Sequence, residues 1–167
     1  MKRIIVISIL LMLGLTATWA FAAVPKTEAP DTCDVCGMSR SGFAKSRMLI
    51  SYEDGSTFGT CSIACVSGEL AKKEKKVKGI QVGDYVTDKL IDAKTAVWVI
   101  NPKKRGVMSS VAKWAFSGKG DADTYIKKQG GKIATWDEAL AAASEEQKKN
   151  EATDGKAGCD CCNKKKK

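Results

Sequence analysis

The sequence predicts an α+β protein built as a tandem of two small units, followed by a last helix. Three observations predict it. Alternating apolar residues meet a strong two-residue turn at Asp54-Gly55, a helical apolar spacing begins at Ser62, and the order strand, strand, helix, strand recurs between Thr95 and Thr135. The two units share no sequence identity that would make them a repeat.

The elements follow in order. Lys2 and Arg3 precede an apolar run from Ile4 to Leu15, and Ala20-Phe21-Ala22 offers small residues at a cleavage site, so residues 1–22 read as a secretory signal peptide. This places the mature chain in the periplasm or outside the cell. No cysteine lies near that cleavage point, so a lipid anchor is not expected. Residues 23–30, with Pro25 and Pro30, read as a linker. The domain spans residues 31–149, with lobes about 31–90 and 91–149, and residues 150–167 read as a disordered tail rich in cysteine and lysine.

Within the domain, Met48, Ile50 and Tyr52 alternate with Arg47, Leu49 and Ser51, and Asp54-Gly55 returns the chain through Thr57 to Thr60. Ile63, Val66 and Leu70 then mark one helix face, with Glu69 set to pair with Lys73 and Gly79 as the stop. Ile80 to Asp88 reads as a strand, or a strand and a turn. Thr95 to Ile100 is a central strand ended by Asn101-Pro102. Val107 to Phe116 alternates again, with Met108, Ala112, Trp114 and Phe116 on one side. Asp121 is placed to cap a short helix ended by Gly130-Gly131, and Thr135 with Glu138 forms a capping box for a last helix through about Lys149.

The chemistry lies in the cysteines. Cys33-Asp-Val-Cys36-Gly37-Met38 has the form of a metal knuckle, in which backbone N–H groups turn toward the sulfurs and Gly37 takes a positive φ. Cys61 and Cys65, four apart at a helix start, present two more sulfurs on one face. Cys33, Cys36, Cys61 and Cys65 are thus expected to meet at one point. Met38 adds a thioether, and thiolate with thioether selects Cu(I) over hard cations. Met48 and Met108 read first as core residues, with Met108 also a candidate ligand because it follows a glycine where a loop meets a strand. In the tail, Cys159, Cys161 and Cys162 are candidates for auxiliary capture of a soft metal. Two other readings fit the same residues. Four thiolates could close on a structural Zn²⁺, or Cys33-x-x-Cys36 could exchange disulfides, although no helical pattern follows Gly37 as that chemistry prefers.

The full chain carries 28 Lys and Arg against 19 Asp and Glu; removing Lys2 and Arg3 with the signal leaves 26 against 19, a net of +7. The excess sits in lysine runs with no interleaved aromatics, so nucleic acid is not an expected partner, while weak contact with anionic membrane is compatible with it. With no histidine in the chain there is no Ser-His-Asp arrangement, and no phosphate-binding glycine loop is present, so the sequence gives hydrolytic catalysis no support.

The knuckle with its following Asp54-Gly55 hairpin, together with Tyr85-Val-Thr-Asp88, Ile91-Asp-Ala93, Ala96-Val-Trp98-Val99, Gly106-Val-Met108 and Gly130-Gly-Lys-Ile-Ala-Thr-Trp-Asp-Glu138-Ala-Leu140, resembles the NosL family over roughly residues 31 to 143. These are accessory proteins of nitrous oxide reductase that carry Cu(I) in the bacterial cell envelope. The resemblance implies two ββαβ lobes, a non-enzymatic role in copper delivery, and as partner an acceptor metalloenzyme or a membrane copper-handling protein. Family members pair sulfur ligands with histidine; here that load falls on cysteine and methionine. The family is typically lipid-anchored, whereas the absence of a cysteine at the cleavage site implies a soluble form. The Cys61-x-x-x-Cys65 pair looks like an addition, similar in spacing to small treble-clef metal domains.

Overall fold

The computed structural model describes residues 28–154. In chain order it holds β1 (Met48–Tyr52), β2 (Thr57–Thr60), α1 (Ile63–Lys72), β3 (Val77–Gly83), β4 (Leu90–Asp92), β5 (Val97–Asn101), β6 (Ala112–Phe116), α2 (Lys119–Gln129), β7 (Lys132–Ala134) and α3 (Trp136–Asp154). The expected tandem ββαβ order is present, with β4 added between the units. The two antiparallel sheets have the orders β2-β1-β3-β4 and β6-β5-β7. In each, the first strand of the unit is central, flanked by its hairpin partner and by the strand that returns after the helix. Among the described residues no helix is long and apolar enough to cross a membrane.

Local chemistry explains most boundaries. Gly55 has φ +82° at the β1–β2 turn, and the Asp54 carboxylate accepts the Ser56 N–H at 2.8 Å. The capping box at α3 is made: the Thr135 N–H donates to Glu138 Oε2 at 2.7 Å and the Glu138 N–H to Thr135 Oγ1 at 3.3 Å. With no breaker before Gly155, α3 continues past Lys149 to Asp154.

Other boundaries differ from the expectation. α1 ends at Lys72, with Lys73 left-handed at φ 54°, and Gly79 lies inside β3. The chain leaves the helix early because Tyr52 pairs with Val77 and the Glu53 N–H donates to the Lys76 carbonyl at 3.0 Å, which draws it into the sheet. Glu69 pairs with Lys72 rather than Lys73, at 2.8 Å, and also accepts the Tyr52 hydroxyl at 2.9 Å. β3 starts earlier than expected, at Val77, but its end at Gly83 and the turn over residues 85–87 match the strand-and-turn expectation. At Gly83 a Cβ would come within 2.0 Å of the Ala44 carbonyl oxygen, so only glycine fits. α2 starts at Lys119 after Gly118, and Asp121 stands in its first turn rather than at its cap. Residues 107–111 form a loop instead of the start of β6. The Gly106 N–H donates to the Ser109 carbonyl at 3.0 Å, Met108 takes φ 54°, and the Glu146 carboxylate captures Ser109 and Ser110.

The larger core lies between the sheets and under α1 and α3. Met48, Ile50, Val66, Val82 and Trp98 are buried there, with Trp98 and Trp136 ring centroids 5.6 Å apart. A smaller cluster of Val99, Phe116, Ala122 and Tyr125 packs α2 on the second sheet. Asp84 joins the units: it is fully buried, accepts the Ser117 N–H at 2.8 Å and the Thr87 hydroxyl at 2.6 Å, and the next N–H, that of Tyr85, donates to the Ala115 carbonyl.

A buried charge cluster ties down the entry to the domain. Arg40 is fully buried and donates to the carbonyls of Glu28, Pro30, Met48 and Thr60, and to the Glu28 carboxylate. Arg47 binds the same carboxylate at 3.0 Å. Burial alone would raise the pKa of Glu28, but Arg47 and Arg40 hold it below the usual value.

Two stability predictions follow from these charges. Arg40→Met strips four carbonyls and a carboxylate of their donor, and urea denaturation should show a loss of about 3–5 kcal/mol; a loss below about 1 kcal/mol would remove the cluster from the stability argument. Glu146 resists its own burial through hydrogen bonds from Lys113, Ser109 and Ser110, which hold its pKa at about 2. Its pKa is depressed on folding, so its contribution is present above about pH 4.5 and is lost as pH falls toward about 2. Glu146→Gln should therefore lower stability at neutral pH and flatten this part of the acid limb; an unchanged limb by circular dichroism would contradict it.

Candidate metal centre

The knuckle forms because its own backbone closes it. The Cys33 N–H donates to the Met38 carbonyl and the Gly37 N–H to the Cys33 carbonyl, each at 2.8 Å, with Gly37 at φ +74°. Asp34 then fixes the knuckle to β2, its N–H donating to the Gly59 carbonyl at 2.8 Å and its carboxylate accepting the Gly59 N–H at 2.7 Å. Gly59 has no room for a side chain: a Cβ there would lie 2.6 Å from Pro30 and 2.9 Å from Arg40 Nε. The charge cluster around Arg40 thus presses the entering chain across β2 and sets the knuckle beside Cys61.

The second pair comes from the start of α1. Cys61 follows β2, Ser62 is the extended N-cap, and Cys65 lies in the first helical turn. The Ser46 hydroxyl donates to the Cys61 carbonyl at 2.8 Å, which anchors this corner. All four sulfurs lie within 4.8 Å of one another, with Cys36–Cys61 at 3.6 Å and Cys61–Cys65 at 3.8 Å. No disulfide joins them. Cys33, Cys61 and Cys65 are buried, whereas Cys36 is half-buried and forms the open side.

Without a cation the cluster stabilises one thiolate. The Cys65 thiol, then those of Cys36 and Cys33 and the Ser62 hydroxyl, stabilise Cys61 against its burial and bring its pKa down to about 6. Burial, and then the neighbouring thiols, push Cys36 up to about 12. Cys65 is driven up because its proton is held against Cys61. The donor set fits a soft cation. Metal–sulfur bonds of about 2.3 Å in a tetrahedron place sulfurs about 3.8 Å apart, close to the two distances found.

The predicted residues are placed unequally. Cys33, Cys36, Cys61 and Cys65 come together, and Met38 packs against them, half-buried. Met48 lies in the core. Met108 is 54% exposed at the tip of the β5–β6 loop, not on a strand as expected, while its neighbour Val107 packs on the cysteines. Cys159, Cys161 and Cys162 lie outside the described residues, as does the proposed signal segment. No helix follows Cys36; the helix start belongs to the other pair. Sequence reasoning missed Phe43 and Val107, which cover the sulfurs, and Asp34, whose position inside the knuckle was its only signal.

Comparison with known proteins agrees with this architecture. The crystal structure of the copper chaperone NosL from Shewanella denitrificans superposes with a TM-score of 0.54 at 24% identity, covering 68% of this chain and 92% of that one. No curated protein matches. The family model described as NosL matches residues 24–143, and the chain, with its knuckle and two ββαβ units, belongs to the NosL family.

Proposed function

We propose that the chain is an exported Cu(I)-binding protein, a chaperone or scavenger that supplies copper for the assembly of a periplasmic metalloenzyme such as nitrous oxide reductase. The ion is its cargo. The observation that carries this reading is the meeting of four sulfurs within 4.8 Å, with Met38 packed beside them and Cys36 on the open side. Family membership supports it, and the N-terminal segment supports export. Thiolates select a soft ion. Four thiolates around a monovalent ion would leave three uncompensated negative charges, so part of the set keeps its protons and serves as spare donors during exchange. Cys36, the half-buried sulfur, is where an incoming ligand first competes. Cys33, Cys61 and Cys65 hold the ion from behind, and Phe43 and Val107 keep water from them. The tail cysteines Cys159, Cys161 and Cys162 add capture capacity.

A structural zinc site is the second reading, favoured by the near-tetrahedral sulfur spacing. It would hold the first lobe together and leave a binding role elsewhere.

Anaerobic loading and competition with a Cu(I) chelator distinguish the two. On the delivery reading, Cu(I) displaces zinc, and Cys33→Ser weakens binding by on the order of 10²-fold, since a four-ligand site worth about 10–16 kcal/mol gives about 3 kcal/mol per ligand. Met38→Leu should change the rate of copper release. A chain that keeps zinc against excess Cu(I), unfolds on zinc removal and is indifferent to Met38→Leu would replace this reading with the structural one. For the tail, truncation after Asp154 should lower the Cu(I) stoichiometry read by metal analysis; an unchanged stoichiometry would dismiss the auxiliary role.

A further inference from the structure

The β5–β6 loop, residues 102–111, combines features that the metal centre itself does not use. Lys103, Lys104 and Arg105 are exposed, consecutive and form no ion pair among the described residues; other exposed lysines such as Lys76 and Lys94 are also unpaired, but none of them stands in a basic run of three. The loop is held in place. The Lys104 N–H donates to the Asn101 carbonyl at 3.2 Å, the Ala112 N–H to the Lys104 carbonyl at 2.8 Å, and Glu146 grips Ser109, Ser110 and Lys113. Such a tether costs nothing further on binding, so the basic side chains are presented from a fixed base.

The loop also touches the cysteines. Val107 packs on them, and Gly106 and Val107 line a small crevice with Ser62 and Ile63, beside Cys61. Arg105 is two residues from Val107, at most about 7 Å along the chain. Met108 follows, 54% exposed, and Val35 in the knuckle is equally exposed. Two acids beside these residues are engaged, Glu146 with the loop and Asp34 with the Gly59 N–H, while Asp31, two residues before Cys33, is exposed.

We infer that this loop, through Lys103-Lys104-Arg105 and the apolar Val107-Met108, docks a negatively charged segment of a partner protein that carries soft metal ligands, at the mouth of the cysteine cluster. Apolar contact beside a charged rim is the usual make-up of a specific protein contact, and complementary charge raises the rate of encounter most. An anionic membrane would meet the charge but offers no soft ligand to take the ion. The inference rests on the delivery reading.

The test uses the mature chain loaded with Cu(I) and two synthetic peptides. One has a Cys-x-x-Cys pair flanked by Asp and Glu, the other the same pair flanked by Asn and Gln. Transfer to the acidic peptide should be about tenfold faster at low salt, and the preference should vanish at about 0.5 M salt. The combined variant Lys103→Gln, Lys104→Gln and Arg105→Gln should lose the preference while holding the same amount of copper. An undiminished preference in that variant overturns the inference. If the chain takes up no copper, the delivery reading fails by itself, and salt-dependent binding of the metal-free chain to the acidic peptide, measured by fluorescence anisotropy and lost in the variant, still decides the docking claim. Should the variant lose only its binding to phosphatidylglycerol vesicles, the loop is a membrane contact and the inference is wrong.

Discussion

Four thiols cannot all ionise in one buried space, and the first unit of this fold is arranged around that constraint. The described chain brings Cys33, Cys36, Cys61 and Cys65 within 4.8 Å of one another without a disulfide. Charge on one sulfur raises the cost of charge on the next, so Cys61 is stabilised as thiolate while Cys65 and Cys36 are driven the other way. A cation would offset this repulsion, so that more than one sulfur could be held as thiolate around it, up to the charge it compensates. Sulfur chemistry thus supplies the gain on binding, and the scaffold supplies only the convergence.

That convergence depends on contacts far from any sulfur. Arg40 gathers carbonyls from the entering chain, β1 and β2, and its guanidinium occupies the space a side chain at Gly59 would need. Gly59 in turn exchanges hydrogen bonds with Asp34 inside the knuckle. Glu28, shared by Arg40 and Arg47, is therefore coupled through two steps to the position of Cys33 and Cys36. On the other side, Glu146 of α3 secures the loop that sets Val107 on the cysteines, and Gln147 accepts the Ser67 hydroxyl of α1 at 2.7 Å. The second unit and the last helix act as a brace for the first.

What was legible in the sequence was local. The Asp54-Gly55 turn, the Thr135–Glu138 capping box, the glycine of the knuckle and the i, i+4 cysteines each carry their geometry within a few residues. What was not legible depends on distant partners. Nothing near Arg40 says that its charge is buried, because its acceptors come from residues 28, 30, 48 and 60. The alternation from Val107 to Phe116 suggested one strand, but Glu146, remote in sequence, holds its first half as a loop and leaves Met108 outside. The early end of α1 has the same kind of cause, since β1 claims Val77 for the sheet.

The asymmetry of the centre carries the last step. A site meant only to hold the fold together gains from enclosing every ligand, because each exposed sulfur admits water and competing ligands. Here three sulfurs are enclosed and Cys36 is not; beside it in the knuckle stand an exposed Val35 and the Met38 thioether, which packs on the same cluster. Enclosure on three sides would slow spontaneous loss of a bound ion, while access on the fourth would let an incoming sulfur enter before a resident one leaves. On the delivery reading these two demands belong together: the ion is retained against water yet yields to a partner that brings its own ligand to Cys36.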